Sequence, residues 1–352
     1  MCWLLATRRA VMQFASVTAI LRPATGVILI DGGYSDDSDK IIEHVRTYYQ
    51  TDRIDHMVLS HADNDHACGL IGVLKHFRVK AFYMNRPWVY APQILQHFHG
   101  KFTLPGLVTD IKSRHEYLIE LEKIAEAKGT PVYTLFQGQQ IGPITVLAPS
   151  EQRYISLLPD LSKTPKSYAA ESTAVSDVFG GIGTVVKTAV RFIRETWTRE
   201  TLSNDPEPTS ASNETSAVQL MEYDRRILFT ADVGPAGLTE AARCAHSLRR
   251  LGNLKWVQLP HHGSRRNVTP QVLDWWLGPP LQDESTTRGV AYCSAAVNDK
   301  EHPRKKVENG FRRRGYPVRT THGESKLHHF NMPARDGWSA SEPSPFWNEV
   351  EE

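Results

Sequence analysis

The chain alternates short apolar runs with amphipathic stretches, and the alternation begins early. GVILIDGG (26–33) is a β-branched run closed by Asp-Gly-Gly, which predicts a buried strand delivering Asp31 to a tight turn. In DKIIEHVRTYY (39–49), Ile41, Ile42, Val45 and Tyr49 fall near one helical stripe. IDHMVLSH (54–61) predicts a second strand, HACGLIGVLKHF (66–77) a helix, and VKAFYMN (79–85) a third strand. RHEYLIELEKIAEAK (114–128) is an amphipathic helix, and PVYTLFQGQQIGPITVLAPS (131–150) a strand pair bent at glycine and proline.

Residues 151–212 differ in kind. VFGGIGTVVKTAVRFIRETW (178–197) predicts helix and SNDPEPTSASNE (203–214) a flexible connector, so the stretch is expected to be a helical insertion. Its apolar residues suit an amphipathic packing helix, a lid or a subunit contact. Beyond it, SAVQLMEYDRRILFTADVG (216–234) predicts two strands joined at Asp224–Arg225 and ending on Asp232. GLTEAARCAHSLRRLG (237–252) predicts a helix and LKWVQLPHHGS (254–264) a strand. GVAYCSAAVN (289–298), a helix around RKKVENGFRRRG (304–315) and PVRTTHGESKLHHF (317–330) complete the rhythm. The economical architecture is a layered α/β (α+β) core of sheets flanked by helices, spanning 1–335, with the insertion inside it and a polar tail at 336–352.

Composition changes this picture little. With 352 residues, 40% of them hydrophobic, the chain can bury a large core. Its 41 basic and 39 acidic residues leave a formal charge of +2, so any attraction for a polyanion must come from local clusters. Cys2, Cys68, Cys244 and Cys293 form no CxxC pair, which fits buried thiols in a reducing compartment. The apolar N-terminus is interrupted by Arg8 and Arg9 without a clear cleavage site, and no run reaches the length of a membrane span. A cytoplasmic protein with no membrane partner is the expectation. The sequon at Asn213 would matter only in a secreted chain.

The chemistry concentrates at predicted strand ends. SHADNDH (60–66) packs His61, Asp63, Asp65 and His66 directly behind an apolar run, and Asp31, Asp232, His261 and His262 end other strands. HADNDH alone could be a polar loop in which Asp63 or Asn64 caps the next helix. Donors gathered from several rigid strand ends instead describe a supported metal site. Imidazole and carboxylate together suit zinc, manganese or iron, and the absence of cysteine argues against a structural zinc knot. The set is too large for one tetrahedral ion and suits two, which roughly 3.5–4 Å apart can share a hydroxide. That chemistry is hydrolytic.

Taken together, LIDGG, SHADNDHACGL, NETSAVQL, ILFTADV, LPHHGS and AAVNDKEHP resemble metallo-β-lactamase-fold hydrolases, most nearly the hydrolase domain of ComEC-type DNA-uptake proteins. The likeness runs from about residue 26 to 330. It implies an αββα sandwich with two divalent ions, zinc or manganese, at one edge. By it, His61 and Asp63 would bind one ion, Asp65 and His66 the second, and Asp232 would bridge. His261 or His262 would complete the second ion. Asp31 would orient a ligating histidine from behind, and Asn213 and Ser216 lie where relatives carry a further ligand histidine. Asp65 and His302 would be catalytic, His302 as a phosphate contact or general acid. Three departures stand out: Asp63 replaces the usual second histidine and favours manganese, Ala231 replaces a glycine, and QFASVTAIL (13–21) matches the expected first strand poorly.

Arg265 and Arg266 follow a donor pair, and Arg304, Lys305, Lys306, Arg312, Arg313, Arg314 and Arg319 cluster near the C-terminus. Read as substrate phosphate contacts, with Arg265, Arg266 and Arg304 foremost, they make DNA the expected partner of a metal-dependent phosphodiesterase or nuclease. A solvated basic helix face reads the cluster equally well. The rival enzyme is a hydrolase of a small phosphodiester, thioester or lactam, since fold does not fix function. Outside catalysis, the chain would be a partner-controlled binding or effector subunit. Residues 151–212 would then serve a homo-oligomer or regulatory contact.

Overall fold

The computed structural model describes residues 10–15, 18–21, 26–98, 100–164, 191–223, 225–296, 299–322, 324–330, 337 and 339–352. The first nine residues, Asp224 at the predicted turn and residues 165–190 of the insertion lie outside the described residues.

Two seven-stranded sheets stack face to face. The first contains β1 (Ala10–Ala15), β2 (Thr18–Leu21), β3 (Ile28–Ile30), β4 (Arg53–Val58), β5 (Arg78–Tyr83) and β6 (Val132–Tyr133) in sequence order, with β15 (Lys326–Phe330) beside β1. The second runs β14 (Val318–Thr320), β13 (Val290–Cys293), β12 (Leu254–Gln258), β11 (Arg226–Phe229), β10 (Val218–Glu222), β8 (Ile144–Ala148) and β7 (Gln140–Ile141). In each, a parallel set (β3 to β6, β11 to β14) adjoins antiparallel strands. The poorly matched N-terminal stretch therefore supplies two strands, β1 and β2.

Strand periodicity divides the interior into three layers. In β3, Leu29 packs toward helices while Ile28 and Ile30 join the layer between the sheets. In β11, Ile227 and Phe229 enter that layer and Leu228 packs toward the opposite helices. At its centre lies fully buried Trp256, its ring stacked on Tyr292 at 5.5 Å and 24°. Outside the first sheet pack α1 (Asp37–His44), α2 (Asn64–His76), α3 (Leu104–Arg114) and α4 (Glu116–Ala127). Outside the second pack α6 (Pro235–Ser247), α7 (Pro270–Leu277) and α8 (Lys305–Arg313), with α5 (Glu151–Leu157) leading into the insertion. The order helix, sheet, sheet, helix is an αββα sandwich.

One close approach fixes the turn after β3. A Cβ on Gly69 of α2 would sit 1.9 Å from the Gly32 carbonyl oxygen, so only glycine lets α2 lie on the turn after β3. There the Gly32 amide donates to His66 O at 2.8 Å and the Gly69 amide to Gly33 O at 3.0 Å.

Two parts of the sequence reading change. Phe192–Arg194, within the segment read as helix, forms strand β9, paired antiparallel with β16 (Glu349–Glu351) of the tail read as merely polar. The described end of that segment thus joins a ribbon whose second strand lies at the far end of the chain, while residues 178–190 lie outside the described residues. The basic run in α8 is not a solvated face. Arg313 is 1% exposed and pairs with fully buried Glu195, also donating to Trp197 O at 2.9 Å. Arg314 makes a bidentate pair with Glu200 at 2.7 and 3.0 Å and meets Asp274 at 2.8 Å. Lys306 is buried, and Lys305 lies over the Trp347 ring at 4.7 Å.

Glu308, on the same helix, is buried and accepts from Trp347 Nε1 at 2.6 Å. Burial, offset in part by hydrogen bonds from Ser344 and Trp347, pushes its carboxyl up to about 7. Because the folded value is raised, its contribution is full below the unfolded value near 4.5 and is lost as pH climbs through about 7. Glu308 is therefore expected to make the protein less stable at pH 8 than at pH 5 by about 2 to 3 kcal/mol. Glu308→Gln should flatten that dependence in urea titrations at the two pH values; an equal slope in both proteins would refute the assignment.

Candidate metal centre

The C-terminal ends of β3, β4, β11 and β12 meet on one edge of the sandwich, where the Ala217 amide donates to Ser60 O at 3.1 Å and ties the two sheets together. His61 and Asp63 follow β4, and Asp65 and His66 occupy the first turn of α2. Asp232 follows β11, and His261 and His262 follow β12.

Asp232 is the centre. Its Oδ1 lies 3.4 Å from His66 Nε2, and its Oδ2 lies 3.9 Å from His61 Nε2 and 3.8 Å from His261 Nε2. Asp63 Oδ2 is 3.5 Å from His61 Nε2. Asp65 Oδ2 is 3.8 Å from His66 Nε2 and 3.7 Å from His262 Nε2. The donors thus gather round Asp232 in two overlapping sets, its carboxylate with His61 and His66 and the same carboxylate with Asp65 and His262, while Asp63 lies beside His61 and His261 beside Oδ2. The structure separates the adjacent pair that the sequence offered as alternatives, and His262 is the one beside Asp65 and His66.

The histidines are presented by partners behind them. His66 Nδ1 donates to Asp31 Oδ2 at 2.9 Å, and Asp31 also accepts from the Ser60 amide and hydroxyl, both at 2.7 Å. With its proton on Asp31, Ser60 Oγ accepts from His61 Nδ1 at 3.1 Å. His262 Nδ1 donates to Ser294 O at 2.9 Å. Asn267 spends its amide hydrogens on Asp232 O and Val233 O, so its oxygen, 3.1 Å away, accepts from His261 Nδ1. Each neutral ring is left with a bare Nε2 facing the centre. For His61 and His66 this atom is buried without a hydrogen-bond partner. Buried, unpartnered nitrogens among carboxylates fit a divalent cation.

Without a cation the charges lean on one another. Burial would push Asp232 up, but His66, His61 and His262 hold it far below the carboxylate range. Burial would push His66 down, but Asp232 and Asp31 hold it well above the histidine range. Asp65 is held at about 2 against burial by the His262 and His66 rings.

Backbone strain collects here too. Asp31, Ala231, His261 and His262 all adopt left-handed φ, between 46° and 57°, a conformation that L residues avoid by about 1–2 kcal/mol. At Ala231 the turn is clamped by Gln258 Oε1, which accepts from the Thr230 and Ala231 amides at 3.0 and 3.1 Å.

The remaining sequence candidates separate into three groups. Asn213 Nδ2 donates to Thr209 Oγ1 at 2.8 Å and packs 3.2 Å from His261 Nδ1 without accepting its hydrogen, whereas Ser216 Oγ accepts from the Asp232 amide at 3.3 Å and so supports that donor. His302 is half-buried with its ring 6.4 Å from that of His261, and its Nδ1 donates to Asp299 at 3.0 Å, leaving Nε2 unspent by that contact. Burial pushes this ring down, against Asp299. The arginines are engaged elsewhere: Arg265 with Glu352 O, Arg266 with Glu207, and Arg304 with Glu301 at 2.6 Å. Sequence reasoning missed Ser60, Gln258 and Asn267. Ser60 stood inside the motif and was readable; the other two carry no local signal.

No curated protein matches the chain. In solved structures it is similar to CmlA, a diiron β-hydroxylase from Streptomyces venezuelae, at 12% identity and TM-score 0.46, covering 91% of this chain and 54% of CmlA. The chain thus spans about half the length of CmlA. It is also similar to YhfI, a metallo-β-lactamase fold protein from Bacillus subtilis, at 10% identity and TM-score 0.40, covering 92% and 99%. A third likeness is Igni18, a metallo hydrolase from Ignicoccus hospitalis, at 12% identity and TM-score 0.38, covering 92% and 100%. The family model of the metallo-β-lactamase superfamily matches residues 12–129, the segment that carries Asp31, His61, Asp63, Asp65 and His66, within a mixed α/β fold consistent with that superfamily.

Proposed function

We propose that the chain is a metal-dependent hydrolase of phosphodiesters, holding two divalent ions between the donor groups that share Asp232. The observation that carries this reading is the pair of buried Nε2 atoms, on His61 and His66, facing the Asp232 carboxylate without a hydrogen-bond partner. Bound there, divalent ions supply Lewis acidity and a nucleophile at neutral pH. The chain's own residues do the rest. Asp31, Ser60, Asn267 and the Ser294 carbonyl fix which ring nitrogen faces the centre. His302 presents Nε2 beside His261, placed to contact a phosphate oxygen or pass a proton to the leaving alkoxide. The carboxylate of Asp63 makes one donor group oxygen-rich, which favours manganese over zinc.

DNA is the substrate class put first, on the ComEC-like motifs. A small phosphodiester is the second reading, and a specific observation favours it. Arg313 and Arg314 are buried in ion pairs, and Arg266 and Arg304 have acidic partners, so less positive charge is free to follow a phosphate backbone than the sequence suggests. The test is to incubate the protein with plasmid, linear and single-stranded DNA and with bis(p-nitrophenyl) phosphate, under manganese, zinc, magnesium or chelator, beside Asp65→Ala. Metal-dependent DNA cleavage lost in Asp65→Ala is the expected result. Ester turnover with DNA intact selects the second reading, and no turnover of either with two ions bound would sink both.

A further inference from the structure

Lys163 lies in the stem that leads from α5 toward residue 165, a hundred residues away in sequence from the loop that joins β4 to α2. Its Nζ donates to Asn64 Oδ1 at 2.6 Å and to Ala62 O at 3.2 Å. Ala62 and Asn64 flank Asp63. The ammonium therefore grips the backbone on one side of this donor and the side chain on the other. Asp63 occupies the N-cap position of α2 with extended backbone, yet its side chain makes no capping hydrogen bond. Its carboxylate is turned toward His61 instead. Giving up a cap costs about 1 kcal/mol, and a cation at a helix N-terminus opposes the helix dipole. Helix stability alone selects neither choice. Both make sense together if Asp63 must be free of the helix and still held in place.

The geometry points to Lys163 as a positioning residue for Asp63, setting the affinity of the cation that His61 and Asp63 would hold. The inference rests on the function proposed above, because it needs that site to bind metal. Nothing in the motifs around His61 announces it, because the clamp comes from the stem of the insertion.

Manganese binding, measured by titration calorimetry and by electron paramagnetic resonance, tests the clamp. Lys163→Met is expected to bind one of two ions about tenfold more weakly, the scale of lost supports behind metal ligands, and to leave the other unchanged. Asn64→Ala removes the grip while keeping the positive charge and should behave alike, whereas Lys163→Arg should restore much of the affinity. In chelator, amide hydrogen exchange over residues 63–67 should quicken in Lys163→Met without a fall in global stability. Two wild-type affinities in Lys163→Met would overturn the clamp alone, as would equal weakening of both ions with a lowered melting temperature. Weakening in Lys163→Met but not in Asn64→Ala would assign the effect to charge and overturn it as well. A wild-type protein that takes up no manganese or zinc would bring down the proposed function with it.

Discussion

Asp232→Asn is expected to abolish the proposed phosphodiester hydrolysis, lowering kcat on the order of a thousandfold or more, and to bring metal content from the proposed two ions per chain to less than one. Both donor groups meet at this carboxylate, with Oδ1 toward His66 and Oδ2 toward His61 and His261. Asparagine keeps the size and the backbone contacts to Ser216 and Asn267 but removes the charge that both sides share. A variant of one outer donor, such as His262→Ala, should weaken one ion and spare the other. Elemental analysis after dialysis against limiting manganese distinguishes the two patterns. Wild-type metal content in Asp232→Asn would mean that the donors bind in some other grouping and would remove the central premise of the dinuclear reading.

Arg313→Met is expected to destabilise the fold by about 3–5 kcal/mol without touching the metal edge. Arg313 reaches Glu195, Trp197 O, Thr196 O and Arg199 O from a position almost wholly out of water, and Glu195 is 0% exposed. Methionine preserves much of the volume but strands a buried carboxylate. Neutralising the pair together, as Arg313→Met with Glu195→Leu, should recover most of the loss, because apolar replacements of a buried pair avoid its desolvation cost. Urea midpoints give the comparison. A single variant as stable as the parent would put Arg313 back on the surface, where the basic run was first expected.

The difference between these two sites shows what a sequence can disclose. Asp31, His61, Asp63, Asp65 and His66 were readable because donors and strand ends coincide within one short motif each. The division of His261 from His262 was not, because it depends on two successive left-handed residues that bring His261 Nε2 to Asp232 and His262 Nε2 to Asp65. Arg312, Arg313 and Arg314 look like a solvated run for the same reason that charged triplets usually are one. Their fate is decided by Glu195, Glu200, Asp274 and Glu284, which come from other parts of the chain. Phe192–Arg194 is a strand because Glu349–Glu351 arrives to pair with it, and no window of sequence contains both.

The pairing of β1 with β15, Ala10 against Phe330, has a temporal consequence. A ribosome emits the first strand long before its edge partner exists, at roughly 5–20 residues per second, so β1 stands as an open edge for on the order of tens of seconds. The second sheet can assemble from β7 to β14 within that interval. The first sheet closes last, and a nascent chain stalled before residue 326 would present the metal-donor loop on a sheet whose outer strand is still an unpaired template for other chains.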